Sequence, residues 1–429
     1  MVVLWEAPIP AMAVRCAGGW GEPVDTGTSR GDAETVQDGW FQRGTNQSGM
    51  RDANERLVLS LVRRHGSLSK TDLARMTGLS AQTVSVIMRE LEADALLVRG
   101  APVRGKVGQP SVPLSLNPEG ALFLGLKIGR RSADLVLIDF LGKVKASRGL
   151  SYVYPTPAGT VAFVTEGVAD IRAGLSPEQD RRIAGLGIAM PFELWNWVDT
   201  IGAPRSIMEQ WRGADIRTDI ASRCPFPVYL QNDATAACGA ELVFGGTGDL
   251  RDFVYFYIGS FIGGGIVLNG ALYSGRSGNA GALGSMPVPG VDGKPRQLID
   301  IASIAILEQR LAATGRDASF LFTSPTDWGE VGDELEDWIM SAAAGIAYAI
   351  MAAASVVDFE AAIIDGWMPD SVRDRLAEAI VAALATFDAE GIRVPAVRKG
   401  SVGIHARALG GASLPLFERF LIQQGASKD

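Results

Sequence analysis

Gln82, Thr83, Ser85 and Arg89 fall within one octet and carry an amide, two hydroxyls and a guanidinium. Side chains of these types bond base edges or phosphates of DNA. Farther on, Arg104 and Lys106 flank a glycine in Arg104-Gly105-Lys106-Val107-Gly108-Gln109-Pro110, a basic tip suited to the phosphate backbone. The elements needed to position them are legible. Ser80 caps a helix whose apolar residues Val84, Ile87, Met88 and Leu91 recur at helical spacing, leaving the polar four on the other face. Ser69 caps a shorter helix, Asp72 adds negative charge to its first turn, and Gly78 ends it in the left-handed conformation. A preceding amphipathic helix over about Asp52 to His65 is closed by Gly66, and Leu96 to Arg99 and Val112 to Leu116 read as strands around the basic tip. The sum is a winged helix-turn-helix over 50–116, with its second helix in the major groove. A purely structural bundle would share the caps and the periodicity, but not the strand pair and its basic tip.

Charge is divided in the same sense. The 429-residue chain carries a net −8, yet residues 50–110 hold ten Lys/Arg against six Asp/Glu, and 111–429 hold 27 against 36. Positive charge sits where phosphate contacts require it. With 47% hydrophobic and 21% charged residues the chain is globular and long enough for two or three domains. Cys16, Cys224 and Cys238 show neither metal-ligand nor disulfide spacing, and no secretory signal opens the chain, so a reducing cytoplasm is expected. Ile339 to Val357 is uncharged and long enough to span a bilayer, but its Ala, Ser and Gly content reads as a buried helix; no membrane partner is expected.

Residues 1–49 lack periodicity and read as a disordered extension. After a linker at Asn117-Pro118-Glu119-Gly120, three short strands are followed by a helix from about Ala158 to Gly174, a strand at 183–190, a helix near Ala214 to Arg223, strand 228–232 and a helix from Asp233 to Phe244. The theme restarts at Asp252 with strands through Ala271 to Tyr273, then helices and a strand at 361–365. A strand meander followed by alternating helices and strands, twice over, predicts a duplicated α/β domain with a cleft between its lobes.

This order, with Gln231-Asn232-Asp233-Ala234 and a glycine-rich turn, resembles the ROK family of bacterial repressors and sugar kinases over about residues 45–420. Arg43-Gly44-Thr45-Asn46-Gln47 resembles the regulator branch. The resemblance implies a two-lobed, actin-like (ribonuclease H-like, duplicated) sugar-binding domain behind the DNA head, usually as a homodimer or dimer of dimers. Lobe 1 would cover 121–245, completed by a C-terminal helix at about 405–424, and lobe 2 would cover 246–404.

Kinase members carry an Asp-x-Gly-x-Thr phosphate loop after the first strand. Here the matching place reads Lys127-Ile128-Gly129-Arg130-Arg131, and lysine cannot ligand magnesium. The second phosphate-side turn, Gly259-Ser260-Phe261-Ile262-Gly263-Gly264-Gly265, keeps glycines whose N–H groups could cradle phosphate, but Phe261 stands where the kinases resemble Gly-Thr-Gly. Ile364-Asp365-Gly366-Trp367 has a Trp where the family tends to have glycine. ATP-dependent phosphorylation is therefore not expected.

The sugar side is better kept. Asn232-Asp233 matches the family's Asn-Asp pair, the Asp implied as general base in kinases and sugar-hydroxyl acceptor in all members. Its carboxylate at a strand mouth suits either role, and an N-cap for the helix Ala234 to Phe244 suits the position equally. Ser277-Gly278-Asn279-Ala280-Gly281 keeps the ligand-side turn; Asn279 either bonds a hydroxyl or is plain turn chemistry. Gly281-Ala282-Leu283-Gly284-Ser285 lacks the Glu and His of the kinases' Gly-Glu-x-Gly-His, and that His is also the first ligand of the family's structural zinc. Val288 to Ala302 contains no cysteine, and His65 and His405 are the chain's only histidines, so neither metal nor cofactor is expected. Pro191 resembles the family's bend at the cleft; Trp195 and Trp197 either stack on a sugar or fill the surface.

The sequence thus predicts a non-catalytic, sugar-responsive regulator, a repressor in its simplest form, whose partners are operator DNA and a small sugar or sugar derivative. The rival is a sugar kinase with an accessory DNA-binding head. A further reading takes Lys127, Arg130 and Arg131 as the mark of a phosphorylated effector.

Overall fold

The computed structural model describes residues 47–102, 112–192, 194–197, 203–290, 292–329 and 331–422. The expected N-terminal extension up to residue 46 and the wing tip with Arg104 and Lys106 lie outside the described residues.

The head consists of α1 (Gln47–His65), β1 (Ser67–Leu68), α2 (Lys70–Thr77), α3 (Ala81–Ala93), β2 (Leu97–Arg99) and β3 (Leu114–Leu116). Helix α1 begins earlier than its amphipathic pattern indicated, at Gln47 rather than near Asp52. The caps fall where side-chain chemistry puts them. Ser69 and Ser80 accept from the backbone N–H groups of Asp72 and Thr83, and Gly78 ends α2 at φ 71°. Strand β3 lies between β1 and β2, so the sheet closes against Val84, Ile87, Met88 and Leu91, all buried.

Lobe 1 contains β4 (Leu122–Ile128), β5 (Ser132–Ile138), β6 (Val144–Ser151), α4 (Pro157–Ala173), β7 (Ile183–Met190), α5 (Ile216–Ala221), β8 (Val228–Asn232) and α6 (Asp233–Phe244). Lobe 2 contains β9 (Phe253–Ile258), β10 (Ile262–Leu268), β11 (Ala271–Tyr273), β12 (Pro287–Pro289), β13 (Pro295–Gln297), α7 (Ile304–Ala313), α8 (Asp333–Ala354), β14 (Ala361–Gly366), α9 (Asp370–Leu384) and β15 (Ala396–Lys399). Helix α10 (Ala406–Phe420) then returns to pack on β4 and β7. The two large sheets run β6-β5-β4-β7-β8 and β11-β10-β9-β14-β15. In each, the first three strands are antiparallel neighbours and the last two join in parallel, so the architecture is duplicated. Parallel strands buried on both faces need unbroken apolar runs, and β4, β7, β9 and β14 are buried throughout. Helix α8, the apolar stretch long enough for a membrane, buries Trp338, Ile339, Ala342, Ile346 and Ile350 in the core of lobe 2.

Two expectations are corrected. The supposed linker is a tightly packed 3-10 turn, Pro118–Gly120, in which Asn117 Nδ2 donates to Ala95 O at 2.7 Å. Head and lobe 1 share one apolar cluster: Leu59 and Val62 of α1 belong with Phe123, Phe140, Phe420 and Leu421. Arg63 donates to Phe140 O, and Ser60 Oγ accepts from Ile422 N at 3.1 Å. The glycines Gly263-Gly264-Gly265 are not a loop but part of β10, paired with Tyr257, Phe256 and Tyr255. Their role is packing. A Cβ on Gly263 would stand 2.8 Å from Ala234 Cβ, and one on Gly265 would stand 2.5 Å from Cys238 Cβ, so α6 lies directly on the strand.

Candidate functional site

The carboxyl ends of β4, β7, β8, β9 and β14 meet at the cleft between the lobes, the edge where α/β sheets hold ligands. The cavity there measures about 530 Å³ and is lined by both lobes, with Lys127, Pro191, Asn232, Asp233 and Arg407 on one side and Ser260, Phe261, Asn279, Phe322 and Trp367 on the other.

Asn232, not Asp233, caps α6: its Oδ1 accepts from Ala234 N at 3.1 Å and Thr235 N at 3.3 Å. This corrects the N-cap alternative for Asp233, which is the first helical residue. Its Oδ2 is bound instead by Arg407 Nη1 at 3.2 Å, and both side chains are largely buried. The Arg407 guanidinium also lies 5.1 Å above the Tyr257 ring. Burial, more than any charge nearby, pushes the Tyr257 phenol up to about 12, so it keeps its proton at neutral pH.

Lys127 faces Asp134 across the β4–β5 pair, and its Nζ donates to Asp134 Oδ2 at 2.9 Å and Ser132 Oγ at 2.7 Å. Burial first, then the Arg407 guanidinium, pushes the ammonium down to about 8, against the attraction of Asp134 and Asp233. Arg130 and Arg131 do not stand open as a cation cluster. Arg130 Nη1 donates to Glu308 Oε2 at 2.9 Å and Arg131 Nη2 to Glu308 Oε1 at 2.7 Å, a clasp between the β4–β5 turn and α7 of the other lobe. Arg131 also stacks 4.7 Å from the centre of the Phe322 ring.

Asn279 lies on the cleft wall in an exposed turn set by Gly278 and Gly281, at φ 74° and 80°. A Cβ on Gly281 would approach Gly265 Cα to 2.7 Å, so glycine is required there twice over. Trp195 packs on the core of lobe 1 rather than in the cleft, and the Trp197 side chain lies outside the described residues. Asp365 is wholly internal, bound by Tyr255 Oη at 2.9 Å and Arg373 Nη1 at 2.9 Å. Among the described residues no three His, Cys, Asp or Glu side chains gather as metal ligands.

On the head, Gln82 and Arg89 are exposed on the outer face of α3, while Thr83 and Ser85 are half-buried. Ser85 Oγ donates to Ala81 O at 2.6 Å, and Thr83 Oγ1 lies 2.8 Å from Ser80 Oγ, so both hydroxyls begin with local partners. Val86, 41% exposed on that face, was not singled out from the sequence, where it passes for a core residue. Arg407, Tyr257, Trp367 and Glu308 were likewise missed as cleft partners; Trp367 was noted only as bulk.

Residues 123–416 match the ROK family, and residues 51–94 match winged helix-turn-helix DNA-binding domains. The xylose repressor of Bacillus subtilis is 24% identical over 243 residues, 57% of this chain and 62% of that protein. The DNA-binding transcriptional dual regulator NagC of Escherichia coli is 24% identical over 272 residues, 61% of this chain and 65% of that protein. The chain thus spans somewhat under two thirds of the length of these two relatives. An uncharacterized protein, y4fQ, of Sinorhizobium fredii is 26% identical over 86% of this chain and 91% of its own length. Among solved structures, a ROK family transcriptional regulator described as a homolog of the E. coli MLC protein superposes with a TM-score of 0.61 at 18% identity, covering 85% of this chain and 95% of that one. A ROK family glucokinase from Streptomyces griseus, in complex with glucose and AMPPNP, superposes with a TM-score of 0.53 at 22% identity, covering 68% and 99%. The chain belongs to the ROK family and joins that two-lobed fold to an N-terminal winged helix-turn-helix DNA-binding domain.

Proposed function

We propose that the protein is a non-catalytic, carbohydrate-responsive repressor that binds operator DNA in the cytoplasm as a homodimer or dimer of dimers. The observation that carries this reading is the Asp233–Arg407 ion pair. Asp233 Oδ2 is occupied by a buried guanidinium, so a sugar hydroxyl reaches that oxygen only by breaking the pair and leaving the Arg407 charge buried and alone. Lys127 supports the same reading, since a cation at the phosphate end excludes a second, metallic one by repulsion.

The same pair supplies a route to the DNA. Arg407 sits near the start of α10, whose far end, Phe417 and Phe420, shares its apolar cluster with α1 of the head. Along its middle α10 touches backbone directly: a Cβ on Gly410 would meet Ala236 at 2.3 Å, and one on Gly187 would meet Gly411 O at 1.9 Å. Between this seat and the head-facing end lies Pro415, and Leu416, Phe417 and Phe420 beyond it pack into the shared apolar cluster. A ligand that engages Asn232, Asp233 and Asn279 alters the hold on Arg407, shifts α10 and changes the spacing of the two heads of a dimer. It releases DNA to the extent that it binds the DNA-free arrangement more tightly.

The test is a gel shift of the full chain on its adjacent intergenic DNA against a panel of sugars, run beside a coupled ADP-release assay. One sugar is expected to release the DNA with no ADP formed. Turnover that Asp233→Asn abolishes would establish the kinase instead.

A further inference from the structure

Two side-chain N–H groups of the cleft residues, Trp367 Nε1 and Arg407 Nε, are buried without a hydrogen-bond partner, and Tyr257 Oη has only the Arg407 guanidinium beside it. The indole and guanidinium N–H groups only donate, and leaving a buried donor unpaired is costly, so the cleft calls for a ligand rich in acceptors. Charge points the same way. Four cations line the cavity, Lys127, Arg130, Arg131 and Arg407, against the single carboxylate of Asp233. Glu308 neutralises one of the Arg130 and Arg131 charges but cannot neutralise both. Lys127 leans on Asp134, but Asp134 is 41% exposed where Lys127 is 7%, so that partner is shared with water. The buried interior therefore holds more positive than negative charge. Arg130 and Arg131 are both held by Glu308, whereas Lys127 has as its carboxylate the half-exposed Asp134 and Arg407 keeps Nε unpaired beside its Asp233 bond, so these two are the cations with capacity left for a ligand.

We propose that this cleft takes an acidic sugar derivative whose carboxylate or phosphate sits between Lys127 and Arg407, with Trp367 Nε1 and Tyr257 Oη as further donors. Charge-assisted bonds from an ammonium and a guanidinium are the strong kind, and burial of both cations strengthens them further. The anion offers Arg407 an alternative to Asp233, frees that carboxylate for the sugar's hydroxyls, and so acts on a side chain in the first turn of α10. The inference deepens the regulator reading, but the binding step is measured without DNA.

The experiment uses the full chain labelled with 5-fluorotryptophan, with the Trp367 resonance assigned by its loss in Trp367→Phe. Sodium phosphate and sodium acetate are titrated against it, with xylose and glucose as neutral controls. A saturable shift with at least one anion is expected, weakened on the order of tenfold in Lys127→Met and several-fold in Tyr257→Phe, which keeps the ring and so the packing. Thermal shifts with glucose, gluconate, glucuronate and glucose 6-phosphate, and with the matching galacto and xylo sets, then tell carboxylate from phosphate. A Trp367 signal indifferent to both ions overturns the seat. So do equal shifts in wild type and both variants (an adventitious ion only), or a neutral sugar bound as tightly as its acid and phosphate. An anion that binds as described yet leaves operator affinity untouched removes the regulator reading and leaves the seat standing.

Discussion

Replacing Asp233 by asparagine removes the negative half of an ion pair whose side chains are 13% and 15% exposed. The shapes match, so no cavity opens and the loss is electrostatic. Breaking a fully buried pair from one side costs about 3–5 kcal/mol, because the survivor stays charged and uncompensated. Here the cost is lower. The amide oxygen still accepts from Arg407, retaining about 1 kcal/mol, and the Tyr257 ring 5.1 Å from the guanidinium retains about 0.5–1 kcal/mol more. A net loss of roughly 2 kcal/mol is expected. Arg407→Gln in the same chain removes the stranded charge, so the double variant should be less destabilised than the two single losses added together, by about 1–2 kcal/mol. The assay is urea unfolding followed by tryptophan fluorescence, read as transition midpoints because a multi-lobed chain need not unfold in one step. Operator affinity, measured alongside, should change in Asp233→Asn even without ligand, since the head is packed against the helix whose first turn holds Arg407. Single losses within about 0.5 kcal/mol of zero, or strict additivity in the double variant, would refute the pair as the coupling element.

Lys127 gives a pH signature. Its ammonium is pushed down to about 8 in the folded protein from an ordinary 10.5, by burial and then Arg407, with Asp134, Ser132 and Asp233 also facing it. Between those values the unfolded chain binds the proton that the folded chain has released, so stability rises with pH across that window, by up to roughly 3 kcal/mol. Buried Cys238 and Tyr257 hold their protons longer when folded and oppose this trend in both proteins, so the difference in unfolding midpoint between wild type and Lys127→Met is what should rise from pH 8 to 10.5, while affinity for a bound anion falls above pH 8. Glu308→Gln strands Arg130 and Arg131 at the lobe junction; a wider separation of the lobes in solution scattering and faster ligand association are expected, with about 1 kcal/mol of stability lost. Gln82→Ala or Arg89→Ala should weaken operator binding and spare ligand response in gel shifts. Substituting Arg104 and Lys106 should weaken binding to all DNA and flatten its salt dependence.

The parts legible in the chain are those whose cause is local. Ser69, Gly78 and Ser80 mark helix ends through bonds to residues three or four positions away, and the head appears where they place it. Strand VYLQN and the helix after it were readable because apolar runs and a capping side chain adjoin in sequence, though the cap proved to be Asn232. The glycines of β10 misled, since a residue absent to make room for a distant helix looks the same in sequence as one that bends a loop. The turn at 118–120 misled likewise, because linker composition does not show what packs on it.

Residue types and spacing by themselves determined a DNA head and a duplicated α/β body, and the resemblance to the ROK family marked Asn232, Asp233, Asn279 and Lys127 as the residues to watch. Only the tertiary structure decided what those residues touch. Arg407 meets Asp233 across 174 positions, and Glu308 meets Arg130 across 178. The pairing of opposite charges depends on distance through the folded molecule, which leaves no period, cap or spacing along the chain.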